Sequence, residues 1–162
     1  MSSSGHPQSE PSSRPPLQSG VLTDRDLREA VRDGWIVAAT PLGDDQFQPA
    51  SLDLRLGPVA YQLRASFLPY RESVSERLEG AANNDLVIDR VSLESGATLQ
   101  RGSVYLVPLL ESLALPADVR GRSNPKSTTG RLDVFTRVIT DGTPRFDEIN
   151  SGYRGPLYLE VS

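Results

Sequence analysis

Ser51-Leu52-Asp53-Leu54-Arg55-Leu56-Gly57 alternates leucine with serine, aspartate and arginine and stops at a glycine. Successive side chains of an extended chain point to opposite faces, so this spacing predicts a half-buried β-strand with the leucines inward and Asp53 and Arg55 outward. Working outward, residues 61–67, 86–88, 104–110, 134–140 and 157–161 form further short apolar or alternating runs, separated by Gly, Pro, Asn and Asp. Many short strands and one strong helical signal make the fold mainly β.

The helical signal lies upstream. Thr23 and Asp26 have the spacing of a capping box, Leu22 and Leu27 can staple the first turn, and Leu27, Ala30 and Val31 make one apolar face. Gly34 ends the helix and hands the chain to an extended Trp35-Ile36-Val37. Residues 2–19 are rich in Ser, Pro, Gln and Gly with one sizeable apolar residue, Leu17, too little to offset ordering entropy. The reading is therefore a disordered tail over residues 1–20 and one domain over 21–162, with a short helical insertion at 72–79 and a loop at 80–85.

Composition narrows the chemistry. There is no cysteine, and the single histidine, His6, lies in the tail. Thiol nucleophiles, histidine bases and the usual cysteine–histidine zinc sites are excluded, so hydrolytic chemistry here has to use carboxylates, hydroxyls and arginines. A net charge of -4 argues against a broad nucleic-acid surface, and any anion site is local. No apolar run reaches membrane-spanning length and no secretory signal opens the chain, so no membrane partner is expected and the location is read as cytoplasmic.

One run has the parts of an anion clamp. Pro125-Lys126-Ser127-Thr128-Thr129-Gly130-Arg131-Leu132 holds the only lysine, three hydroxyls, a glycine and an arginine. An ammonium, small hydroxyl donors and exposed N–H groups can converge on phosphate oxygens, while arginine adds a rigid fork. A solvated loop explains the same composition, with Arg131 paired to Asp133 or Asp141. In Leu157-Tyr158-Leu159-Glu160-Val161 the alternation turns Tyr158 and Glu160 to one face, where Glu160 is either a base on a rigid strand or a solvent-facing glutamate. Asp53 and Arg55 are either an ion-paired outer face or catalytic. Asp147 and Tyr153, near glycines, suit a sugar hydroxyl and a base, or a turn.

Taken in order, these landmarks resemble the dCTP deaminases of the dUTPase-like superfamily, from about Val21 to the last residue. Leu22-Thr23-Asp24-Arg25-Asp26-Leu27 is similar to the family's opening helix, and Ala50 to Gly57 to its Ser-x-Asp-x-Arg-Leu-Gly strand. Leu115-Pro116-Ala117-Asp118 is similar to the turn before the nucleotide motif. Lys126 to Leu132 resembles the [Arg/Lys]-Ser-Ser-x-[Ala/Gly]-Arg-Leu motif, with Thr128 in place of the second serine, and Gly152 to Glu160 resembles the Gly-aromatic-x-Gly-x-x-x-Leu-Glu strand. The wording is nearest to the long bacterial 2'-deoxycytidine 5'-triphosphate deaminases, which join two such halves.

The resemblance implies a distorted β-barrel or jelly roll with an N-terminal helix, assembled as a homotrimer with sites between subunits. It implies a hydrolase that deaminates dCTP to dUTP in pyrimidine deoxynucleotide metabolism without zinc, with Mg2+ carried by the nucleotide triphosphate. Residue by residue, it makes Glu160 the general acid/base. Arg131 and Ser127 position the water and the base, Lys126 and Thr128 contact phosphates, Asp147 receives the deoxyribose, and Tyr153 stands near the base. The relatives run on past the glutamate strand while this sequence ends two residues after Glu160, so a C-terminally truncated, incomplete domain is expected. Three other readings share the phosphate grip: a dUTPase, a bifunctional deaminase and pyrophosphatase, and a non-catalytic nucleotide-binding fragment.

Overall fold

A computed structural model describes residues 20–80 and 85–162. The tail assigned to residues 1–20 lies outside the described residues up to position 19, as do positions 81–84 of the 80–85 loop. Helix α1 (Asp24–Arg32) starts as its sequence directs. The Thr23 hydroxyl accepts from the Asp26 N–H, and the Asp26 carboxylate accepts from the Thr23 N–H, closing the box. Leu27 and Ala30 are buried against Ile36, with Leu22, Val31 and Trp35 packed around them. Burying a leucine such as Leu27 stabilises by about 2 kcal/mol. Gly34, at φ +74°, releases the chain into β1 (Ile36–Ala38).

The remaining elements in chain order are β2 (Phe47–Gln48), β3 (Ser51–Leu52), β4 (Val59–Leu63), α2 (Val74–Glu79), β5 (Val87–Ser92), β6 (Val104–Ala114), β7 (Gly121–Arg122), the single turn α3 (Ser127–Gly130), β8 (Thr136–Ile139), β9 (Glu148–Ile149) and β10 (Arg154–Val161). The fold is mainly β, as the apolar runs predict. One six-stranded sheet has the order β5-β4-β6-β10-β8, with β1 also paired to β6, and β2-β3 and β7-β9 form two-stranded ribbons. The described strands do not close into a barrel.

Strand β6 is the spine. On one side of it Leu106 joins Leu63, Val74, Leu78, Ile139 and Tyr158, and on the other Tyr105 and Val107 join Ala60. A strand covered on both faces has no solvent side, which is why its sequence is apolar nearly throughout. The same holds for β10, where Leu157, Tyr158 and Glu160 are all buried. A third cluster, with Leu115, Val138, Ile149, Tyr153 and Leu157, packs under Leu54, Leu109 and Leu159.

Segment 51–57 departs from the single strand read from its alternation. Only Ser51 and Leu52 are in β3, and Leu56 makes an isolated bridge to Leu109. The leucines also separate: Leu52 packs on the α1 cluster, Leu54 on the third cluster, and Leu56 is 48% exposed. Two polar contacts, one to a neighbouring turn and one across the fold, bend the chain. Asp53 gives its N–H to the Gln46 carbonyl and takes the Gln46 side-chain amide on its own carbonyl, while Arg55 is drawn to buried Glu111. The Arg55 N–H and Nε donate to the two Glu111 oxygens at 2.9 and 2.8 Å, and its remaining nitrogens donate to the Pro41 and Thr40 carbonyls. Arg55 thus makes a fully bonded structural pair with Glu111, and Asp53 is not its partner.

Candidate active site

The anion run folds into a tight turn. Lys126 is extended, residues 127–130 make the one turn of α3, and Arg131 caps it by donating its N–H to the Ser127 carbonyl. The Thr129 hydroxyl donates to the Lys126 carbonyl at 2.6 Å, and Asp133 (φ 54°) reverses the chain beyond. Ser127, Thr128 and Arg131 point outward, and among the described residues their side chains make no hydrogen bond or ion pair. The pairing of Arg131 with Asp133 or Asp141 does not form; Asp141 instead accepts from the Val74 N–H at 2.7 Å. Lys126 is the exception in the turn. Its Nζ lies 2.6 Å from the Asp53 carboxylate.

Glu160 is not the solvent-facing glutamate that strand alternation allows, because it is 1% exposed. β10 lies between β6 and β8, with Glu160 opposite Leu106 on one side and Arg137 on the other. Arg137 donates to Glu160 Oε1 through Nε at 3.0 Å and through Nη2, and Ser66, in the segment after β4, donates its hydroxyl to Oε2. The Arg137 guanidinium stacks on Phe146 at 3.9 Å. A carboxylate clamped in this way has one orientation and no bulk water to compete for it.

A depression of about 370 Å³ is lined by Pro125 and Gly130 of the turn and by Val134, Phe135, Thr136 and Arg137 of the β8 run, and Glu160 lies behind Arg137 rather than in its lining. Its floor reaches Ser162, which exchanges backbone hydrogen bonds with Phe135. Among the described residues the turn makes no hydrogen bond or ion pair with Glu160, whose partners are Arg137 and Ser66. Arg137 stands between them, lining the depression with one end and bonding the carboxylate with the other.

Asp147 lies beside this wall in the left-handed region, at φ 63°. Its Oδ1 accepts from the Val138 N–H and the Ser123 hydroxyl, stitching the β8 edge to the end of β7. Tyr153 is placed differently. Its ring is buried in the third cluster, and its hydroxyl donates to the Pro156 carbonyl and accepts from the Asp141 N–H. Burial pushes its phenol up to about 12, against the Asp141 N–H bond, which favours the phenolate, and with a smaller push from the Asp141 charge. Tyr158 is pushed up to about 12 by burial first and then by the charges of Asp141 and its other acidic and phenolic neighbours.

The sequence reading passed over Arg137 and Ser66. Arg137 carried a signal, as the one charged residue of the apolar 134–140 run, directly opposite Glu160 once the strands pair. Ser66 carried none, since only tertiary folding brings it to a residue 94 positions away.

The sequence profile of the 2'-deoxycytidine 5'-triphosphate deaminase (DCD) N-terminal domain family matches residues 18–162. The chain belongs to this family. Among deaminase-family relatives, the protein named "dCTP deaminase, dUMP-forming" of Corynebacterium glutamicum (strain R) is 30% identical over 144 residues, covering 88% of this chain and 69% of its own. The "dCTP deaminase" of Pasteurella multocida (strain Pm70) is 30% identical over 146 residues, covering 86% of this chain and 70% of its own. The crystal structure of 2'-deoxycytidine 5'-triphosphate deaminase from Agrobacterium tumefaciens superposes with a TM-score of 0.82 at 50% identity. It covers 88% of this chain, which spans 42% of that chain's length. Among the described residues no helix is long and apolar enough to cross a membrane.

Proposed function

We propose that this domain serves the hydrolytic deamination of dCTP to dUTP and ammonia. The observation that supports the reading is the depression lined by Pro125 and Gly130 of the turn and by Arg137, the partner of Glu160, in a chain 50% identical to a deaminase of known structure. Lys126 and Thr128 take the phosphates, with Mg2+ arriving on the triphosphate as part of the substrate. Asp147 keeps its second carboxylate oxygen for the deoxyribose. Arg131 and Ser127 hold the water. Glu160 takes a proton from it, hydroxide adds to C4, and the glutamate returns protons to N3 and to the departing amine, so water is consumed and ammonia leaves. A carboxylate-driven reaction suits a chain with no cysteine and one histidine, outside the described residues. Tyr153 supports the pocket from beneath by fixing the 153–156 corner.

The site is completed between copies in a homotrimer. Two observations support this. Within one copy the turn makes no hydrogen bond or ion pair with Glu160, and Leu132 and Phe135, beside the depression, are 75% and 69% exposed. The cytoplasm, where dCTP is made and used, is the matching location.

A second reading has its own support, because the Corynebacterium relative is named for dUMP formation. Chromatography of the products separates the readings. dUTP with ammonia supports deamination alone, and dUMP with pyrophosphate from dCTP supports the bifunctional enzyme. dUMP from dUTP only indicates a dUTPase. Saturable dCTP binding with no product at any enzyme concentration would leave a nucleotide-binding module and end the catalytic reading.

A further inference from the structure

Asp53 belongs to none of the roles above, yet it holds the one lysine of the chain. The two partners are unequally fixed. The Asp53 backbone is tied at both polar groups, its N–H to the Gln46 carbonyl at 2.8 Å and its carbonyl to the Gln46 side-chain amide at 2.8 Å, and Gln46 is itself buried. Gln48 donates to Asp53 Oδ2 at 3.1 Å. The Asp53 side chain is 23% exposed, whereas that of Lys126 is 63% exposed. A carboxylate on a tied backbone therefore holds the more exposed ammonium of the turn that carries the outward-facing Ser127 and Thr128.

We propose that Asp53 is a built-in counter-ion for Lys126, an autoinhibitory latch that a polyphosphate must displace to engage the turn. The inference rests on the phosphate-binding reading of that turn and adds to it. An exposed pair of this kind is worth little, so the latch weakens polyphosphate binding only about two- to fivefold, and salt screens it. In its absence Lys126 is free to meet the anion without first losing a partner. The latch also discriminates, because a ligand with one weak negative charge competes poorly with a carboxylate already in place.

The test uses the full chain, the Asp53→Asn variant and inorganic tripolyphosphate. Asparagine keeps the backbone ties to Gln46 and an oxygen for Gln48, so only the charge is lost. Calorimetry at low salt is expected to give a dissociation constant about two- to fivefold lower for D53N. The gain should vanish in high salt and in a Lys126→Gln background. Because the chain has one lysine, its ε-methylene gives a single assignable NMR signal. That signal should shift on D53N and move the same way when tripolyphosphate is added to the wild-type chain. Equal affinities, or a lysine signal unchanged by D53N, would overturn the latch while leaving the anion site standing. Tripolyphosphate binding to neither protein would overturn both.

Discussion

Removing Arg137 and removing Glu160 should have very different costs, although they form one ion pair. Glu160 is 1% exposed and holds three hydrogen bonds, two from Arg137 on Oε1 and one from Ser66 on Oε2. Arg137→Met strips Oε1 of both donors and leaves a buried carboxylate on one hydroxyl. Breaking a buried pair from one side costs about 3–5 kcal/mol. The Arg137 side chain is 42% exposed, so water enters where it was, and the loss falls near about 3 kcal/mol. Glu160→Gln leaves a guanidinium that is already partly hydrated and stacked on Phe146, a loss of about 1 kcal/mol. Urea unfolding followed by the fluorescence of Trp35, the only tryptophan, measures both. With a slope of about 2 kcal/mol per molar, R137M lowers the midpoint by about 1.5 M and E160Q by about 0.5 M. The double variant should lie close to E160Q. Equal shifts for the two single variants would refute the asymmetry and with it the claim that burial is concentrated on the carboxylate.

Other outcomes follow from the same geometry. Glu160→Gln should abolish dCTP turnover while nucleotide binding stays measurable by calorimetry, and full activity in that variant excludes the glutamate mechanism. Tyr153 and Tyr158 ionise near 10.0 when unfolded but only at about 12 when folded. A raised folded value means stability that is complete below pH 10 and lost as the pH climbs from about 10 toward 12. Phenolate absorbance should therefore gain the Tyr153 and Tyr158 amplitude only late, toward pH 12 or on unfolding, and Tyr153→Phe and Tyr158→Phe variants that leave the late amplitude unchanged would contradict this. Gly57→Ala should destabilise by about 1–3 kcal/mol, read as a fall in melting temperature, because a Cβ there would lie 2.5 Å from the Pro108 carbonyl that accepts the Gly57 N–H.

How far the sequence was legible depended on how local the forces were. The first helix was readable because its cap, staple and stop lie within a few residues of one another, and β6 and β10 were readable because burial on both faces left them apolar. Segment 51–57 misled for the opposite reason. Its alternation is genuine, but the Gln46 amide and the Glu111 carboxylate act from elsewhere and turn it out of a single strand. A water-facing Glu160 stayed open in the sequence because alternation reports two faces without saying that both are covered. Tyr153 drew attention as an aromatic beside a glycine, and its hydroxyl proves to be consumed by the corner it stabilises. The turn at 126–131 was marked in the sequence by its residue types, while its attachment to Asp53 depended on contacts distant in sequence.

The central claim is that the 126–131 turn and Glu160 serve one pyrimidine nucleotide, within a protomer or across neighbouring copies. A crystal structure of the full-chain E160Q variant with dCTP and Mg2+ tests it directly. The account predicts phosphates on Lys126 and Thr128, and cytosine C4 within one water of both residue 160 and Arg131. Nucleotide bound elsewhere, or a turn and a residue 160 that share no ligand in any assembly, would contradict it.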